Sequence, residues 1–368
     1  MHLYFHVPFC ARRCSYCDFA IAVRRATPSA EYAVAVLREW QAWLADPVWD
    51  RSPTVETIYL GGGTPSRLDP GALDRILDRV RQDRPVAADA EITLEANPDD
   101  VTPARAAEWR RLGVNRVSLG VQSLDPGVLR WMHRTHTAAQ VPEAVARLRA
   151  AGFDNLSLDL IYAVPGDLGR DWQHDLDQVL ALGPEHLSLY GLTVEPRTPL
   201  GRWVERGEAR PAAEDGAAAE YLAAHGALVA HGFEHYEVSN AARPGYRSRH
   251  NSAYWSRATF LGLGPSGHGG DSGARWWNVR GWAQYQARSR AGLPVLEARE
   301  ELDPAARRLE ELYLGLRTDA GVAEGQLPPS LRDRWEEAGW ARRGMGRIRL
   351  TPEGWLRLDA LVAAVPDP

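Results

Sequence analysis

The sequence predicts an α/β protein: a partial (β/α)6 TIM-like barrel, then an accessory segment, then a small C-terminal winged-helix-like domain. Three observations predict it. Short β-rich runs alternate with amphipathic stretches over residues 1–200, a pattern that implies parallel strands joined by right-handed crossovers. Glycine or polar residues stand at the carboxyl ends of successive runs. Beyond residue 200 the alternation fades, and the last part of the chain reads as helix, helix, short strand, helix.

The first strand is expected at Leu3–Val7 and the first helix at Ser29–Leu44. Glu56–Leu60 is the second strand, closed by Gly61, Gly62 and Gly63, and Pro70–Arg81 the second helix. Glu91–Glu95 is the third strand. The helix Pro103–Leu112 carries an N-cap at Thr102, a proline at its first position and a C-cap at Gly113. Arg116–Gly120 is the fourth strand, with Gln122 just beyond it, followed by the helix Ala138–Ala151 and its C-cap Gly152. Asn155–Leu160 is the fifth strand, with Asp159 near its end. The helix Asp171–Leu182 and the strand His186–Tyr190 complete six units. In an open sheet only the strands at the switch point reach a common ligand. Polar groups at the ends of many strands favour a barrel, whose strand ends face one mouth. Residues 201–295 mix the helix Glu214–Gly232 with loops and aromatic-rich stretches. Residues 296–368 contain helices near Pro304–Leu314 and Leu331–Ala338, a strand at Arg347–Leu350 and a helix opened by Thr351-Pro352-Glu353.

The chain has 368 residues, a net charge of −5 and a pI of 6.1. That balance excludes broad electrostatic binding to nucleic acid, and the mixed charge of the C-terminal module argues against DNA binding there. The first ten residues, MHLYFHVPFC, lack a basic region and an apolar core, so no signal peptide is expected. No apolar run is long enough to span a bilayer. The expected location is the cytoplasm.

The cysteines carry the chemistry. There are three, Cys10, Cys14 and Cys17, in the run FCARRCSYCDF. An odd, clustered set is no disulfide framework and reads as a reduced metal or redox site. Structural zinc usually takes four protein ligands, and an iron–sulfur cluster normally takes four thiolates. Three thiolates leave one coordination position open, which implies chemistry or an exchangeable ligand.

C-x3-C-x2-C after the first strand of a six-unit β/α chain resembles the radical S-adenosylmethionine superfamily. Within it, Tyr4-x-His6-x-Pro8-Phe9-Cys10, Gly61-Gly62-Gly63-Thr64-Pro65 and Leu94-Glu95-Ala96-Asn97-Pro98 resemble the oxygen-independent coproporphyrinogen III oxidase family. The likeness spans residues 1–200 and extends to the C-terminal module. It implies a [4Fe–4S] cluster on Cys10, Cys14 and Cys17, with S-adenosylmethionine (SAM) chelating the fourth iron. It further implies that Tyr4 lies beside the cluster and that Gly62, Gly63 and Thr64 hold the methionine end. Glu95, Gln122, Arg134 and Asp159 match further cofactor-binding positions. Plainer alternatives stand beside these: a tight turn at GGGTP, a helix-capping Glu95, an Asp159–arginine pair.

Two departures separate the chain from the decarboxylases of that family. Phe19 stands where they have a fourth cysteine, and only nine residues precede Cys10 where they have a substantial extension. C-x3-C-x2-C-D-F is instead similar to the HemW branch, the haem chaperones. His250-Asn251-Ser252-Ala253-Tyr254-Trp255 matches that branch's H-N-x-x-Y-W motif and makes His250 the candidate haem contact. The plainer alternative is an interior histidine, with Tyr254 and Trp255 filling the core. His6, His133, His136 and His268 are weaker candidates. Arg12 and Arg13 are candidates for propionates or for tuning the cluster. The expected function is haem binding and transfer to acceptor proteins. The alternatives are anaerobic decarboxylation of coproporphyrinogen III and, remotely, a zinc scaffold. The resemblance also implies haem-acceptor partners, a flavodoxin- or ferredoxin-type reductant, a homodimer and transient membrane association for haem delivery.

Overall fold

The computed structural model describes residues 1–50 and 52–366; the last two positions assigned above to the C-terminal module lie outside them. Its centre is six parallel strands side by side in chain order: β1 (His2–Val7), β2 (Val55–Gly62), β3 (Val86–Ala96), β4 (Arg116–Gln122), β5 (Leu156–Tyr162) and β6 (His186–Gly191). The crossovers run through α1 (Ser29–Trp43), α2 (Pro70–Asp83), α3 (Pro103–Arg111), α4 (Gln140–Ala150) and α5 (Trp172–Ala181). The strands are apolar where helices cover them: Ile58, Leu60, Val117, Leu119, Leu158 and Leu160 are all buried. Helix starts follow from local chemistry. Asp69 accepts from the Gly71 amide at 2.9 Å, Thr102 from Arg105 at 3.2 Å and Asp171 from His174 at 3.0 Å.

The strand set does not close on itself. β1 takes a further parallel neighbour, β9 (Phe260–Leu263), while β6 pairs antiparallel with β8 (Asn240–Ala242), which pairs in turn with β7 (Glu234–Glu237). Beyond β9 follow β10 (His268–Gly270), β11 (Ala274–Asn278) and β12 (Leu296–Glu301), giving a twelve-stranded sheet. The stretch expected as an accessory segment therefore adds strands to both edges of the central sheet. The fold is mixed α/β with a large parallel sheet, a TIM-like barrel left open.

The C-terminal stretch gathers around a second apolar core, with Leu316, Trp335 and Ile348 fully buried and Tyr221 of the preceding segment packed among them. Helices Pro304–Leu316 and Pro329–Glu337 precede a hairpin, β14 (Ala341–Gly344) with β15 (Arg347–Leu350), which a two-residue strand, β13 (Val322–Ala323), extends. Helices Pro352–Trp355 and Leu358–Ala363 end it, in the winged-helix-like order. No helix among the described residues is long and apolar enough to cross a membrane.

Candidate cluster and nucleotide site

The cysteine segment is a loop pinned at both ends. Phe9–Cys10 pairs with Ala22–Val23 as two-residue strands, and the Phe9 ring is buried edge-on against Tyr32 and Trp282, with centroids at 5.8 and 5.1 Å. The loop's middle is tied down through Ser15, whose amide donates to Met132 O (3.1 Å) and whose carbonyl accepts from Leu200 (2.8 Å). The three thiols are free and half-buried. All of them line one cleft of about 530 Å³ at the carboxyl ends of the strands.

Each thiol has a distinct setting. Thr64 Oγ1 donates to Cys10 Sγ at 3.5 Å, and Arg134 Nη1 donates to Cys14 Sγ at 3.4 Å. Burial pushes the Cys10 thiol up and the Cys17 thiol up to about 11. Both are therefore protonated near neutral pH until a metal displaces the protons.

The glycine run faces them. Gly62 has φ +109°, and a Cβ there would sit 2.6 Å from the His6 ring; at Gly63 it would sit 2.8 Å from the Val7 carbonyl oxygen. No side chain fits at either position, so bare backbone borders the cleft. Glu95, at the end of β3, accepts from the Gly62 amide at 2.9 Å and from the Tyr59 hydroxyl at 2.9 Å. Burial raises its carboxyl to about 7 against the Tyr59 bond, with Asp159 adding to the rise. Asp159 accepts from Ser118 at 3.0 Å and from Ser157 at 3.3 Å, and burial raises its pKa too. Glu95 caps no helix, and Asp159 is hydrogen-bonded by serines with the Arg116 guanidinium near enough to favour its ionised form.

Arg134 spans the floor. Its Nη2 donates to Asn97 Oδ1 at 2.6 Å and to the Gly120 carbonyl at 2.9 Å, while its Nε is buried without a partner. Gln122 lines the same cleft with φ +67°, a left-handed conformation uncommon outside glycine.

Tyr4 and His250 are placed differently from the expectation. Tyr4 does not line the thiol cleft. Its hydroxyl lies 3.2 Å from His6 Nδ1, its ring stacks on Tyr59 at 6.0 Å, and it lines a second, neighbouring cleft. His250 is buried near the start of the helix Arg249–Trp255. Its Nδ1 lies 2.6 Å from Thr57 Oγ1, its Nε2 lies 2.8 Å from the Tyr254 hydroxyl, and its ring stacks on Tyr59 at 5.0 Å. Both ring nitrogens are occupied inside the protein, so His250 is not an open ligand in this conformation. Thr57 and Tyr59 alternate along β2 and present a polar face that the apolar helical cover does not use.

Tyr190, the polar residue expected at the end of the sixth strand, also lines the thiol cleft, and so do Tyr16, Asn97, Ser118 and Glu195, which were not singled out from the sequence. Tyr16 and Asn97 sit inside quoted motifs and had a signal; Glu195 sits in a loop and had none.

Three free thiols, a Cβ-free cradle, two carboxylates suited to hydroxyls and a guanidinium with an idle buried nitrogen fit a cluster and a zwitterionic nucleotide. Among the described residues no three His, Cys, Asp or Glu side chains close on a single ion. The thiols stand as separate donors around an opening.

A model of the Radical SAM superfamily matches residues 4–179. The Heme chaperone HemW of Mycobacterium tuberculosis is 38% identical over 98% of this chain and 93% of its own. That of Bacillus subtilis is 32% identical over 96% of both, and that of Escherichia coli K12 is 37% identical over 73% and 70%. Among solved structures, the coproporphyrinogen III oxidase (HemN) of Escherichia coli superposes with a TM-score of 0.80, covering 98% of this chain and 88% of its own. Its sequence identity is 20%, so the likeness is one of fold.

Proposed function

The chain belongs to the HemW family of the radical SAM superfamily, and from that premise we propose that it binds haem as cargo and passes it to acceptor proteins in the cytoplasm. On this reading Cys10, Cys14 and Cys17 hold a [4Fe–4S] cluster, and SAM closes the coordination of the fourth iron. The observation that carries the proposal is the shared cleft: the only three cysteines of the chain border one opening, and the glycine cradle borders it too.

Each residue then has a task. Gly62 and Gly63 offer backbone to the methionine end, with Thr64 beside them. Glu95 and Asp159 accept from ribose hydroxyls or the amino group, and Gln122 adds an amide. Arg134 neutralises thiolate charge at Cys14 and faces a carboxylate. Tyr4 acts from below, through His6 and Tyr59. When bound, the cluster and nucleotide supply one-electron reduction of a sulfonium. The protein's share is to exclude water, hold the thiolates and fix the ligand's polar groups. A reducing compartment keeps three such thiols free. The partners on this reading are haem-acceptor proteins and a flavodoxin- or ferredoxin-type reductant, with homodimerisation and transient membrane contact during delivery.

The fold likeness to an oxidase keeps a second reading in view, decarboxylation of coproporphyrinogen III. Phe19, 63% exposed beside Cys17, offers no thiol there. Anaerobic reconstitution should yield about four irons and four sulfides per chain, lost in Cys14→Ser. Haemin titration should give a saturable Soret band, and the loaded protein should yield haem to an apo-haem protein. Formation of protoporphyrinogen IX from coproporphyrinogen III would replace the chaperone reading with the oxidase.

A further inference from the structure

A second cleft, of about 380 Å³, adjoins the thiol cleft and shares Asp18, Phe19 and Gly62 with it. Its walls are aromatic: Tyr4, Phe19, Tyr254 and Phe260, with His268 and Arg280. Resting on the reading that haem is the cargo, we propose that haem docks here, with the His268 imidazole as the protein ligand to its iron and Arg280 facing a propionate.

The histidine inventory singles out His268. Of the chain's eleven histidines, the other ten have a ring atom engaged in a hydrogen bond, or are buried. His268 is exposed and makes no ring hydrogen bond among the described residues. Its ring is nonetheless oriented, stacked on Trp277 at 6.1 Å and 24° across the β10–β11 pairing. An unengaged imidazole held in a fixed plane is what an axial iron ligand requires.

The walls suit a flat apolar macrocycle. Phe19 is 63% exposed, and Phe260 meets Tyr254 edge-to-face at 4.7 Å. Arg280 donates from Nη2 to the Asp18 carbonyl at 2.7 Å and lies 3.6 Å from the Asp18 carboxylate at the surface. The remaining guanidinium donors suit a ligand carboxylate. The open cleft leaves part of a macrocycle in solvent, as a protein that must release its cargo needs.

The H-N-x-x-Y-W motif takes a new role here. His250 is a positioning residue: its Nε2 lies 2.8 Å from the Tyr254 hydroxyl, one helical turn on, and Tyr254 forms the cleft wall.

The test is haemin titration of the full-length, reconstituted chain, followed by Soret position and affinity. Removing a group that only orients a metal ligand costs about 10–100-fold, so loss of the ligand itself in His268→Ala should weaken haemin at least about tenfold and shift the Soret band. His268→Cys should restore binding with a thiolate-type spectrum. His250→Ala should weaken binding without moving the band. Iron content and SAM binding of His268→Ala should match the wild type, which reports an intact fold. If the wild type binds haemin and His268→Ala binds it with unchanged spectrum and affinity, the site is wrong while the chaperone reading stands. A band shift in His250→Ala alone also overturns it. Failure of the wild type to bind haemin overturns the chaperone reading, and this proposal with it.

Discussion

Glu39 shows what single residues contribute to this protein. It is buried in α1, where it accepts from the Gly264 amide at 2.8 Å and from Asn278 Nδ2 at 2.6 Å, and so ties α1 to the loop that leads into β10 at His268. Burial raises its carboxyl from 4.5 to about 7, against those hydrogen bonds. Between these values the folded state holds a proton that the unfolded chain has released, so stability falls as pH rises through that window. At about 1.4 kcal/mol per unit this amounts to about 3 kcal/mol. Urea denaturation of the apo protein at pH 5 and pH 8 should show Glu39→Gln losing that share of the pH dependence. Arg134 is the second case: Arg134→Met strands Asn97 Oδ1 and the Gly120 carbonyl. It should destabilise the apo protein by about 1–3 kcal/mol in the same measurement. The cysteines, Glu95 and Asp159 were legible because strand ends and local spacing place them. The surroundings of His250 were not, because its partner Thr57 lies 193 residues away in sequence.

At the scale of elements, the β2 turn and the helix Glu214–Ala230 give opposite expectations for glycine. Gly63→Ala drives a Cβ against Val7 and Pro8 backbone that has no freedom to move. SAM affinity, read by calorimetry on reconstituted protein, should fall at least about tenfold, a loss of about 1.4 kcal/mol, with iron content retained. Gly226 lies exposed inside the helix with nothing near its added Cβ. Gly226→Ala should therefore stabilise by about 0.5–1 kcal/mol, seen as a higher urea midpoint. The six parallel strands were legible through their alternation with helices. The strands β7 to β12 were not. They lack the alternation with helices that marks β1 to β6, and pairing at the sheet edges makes them strands, not their own periodicity.

The whole molecule is one large sheet with a small module docked on it. The docking includes an ion pair between the half-buried Arg317 and the buried Glu237, with Nε at 3.3 Å, and the Val238 amide donating to the Arg317 carbonyl at 3.1 Å. Glu237 is fully buried, and burial already raises its carboxyl. Arg317→Met should cost about 3 kcal/mol at pH 8, and less at pH 5, because burial favours the neutral form of Glu237. Limited proteolysis near residue 303 at the two pH values would reveal the difference. By itself the sequence determined the order of strand and helix, the three thiols and the glycine and carboxylate positions at strand ends, because hydrophobic periodicity and motif spacing are local properties of the chain. Only the tertiary structure decided that the sheet ends at β12 and β7 without closing, that His250 is an interior residue and that His268 borders a cleft. Edge pairing, burial and the partners of a ring nitrogen depend on residues brought together across the fold.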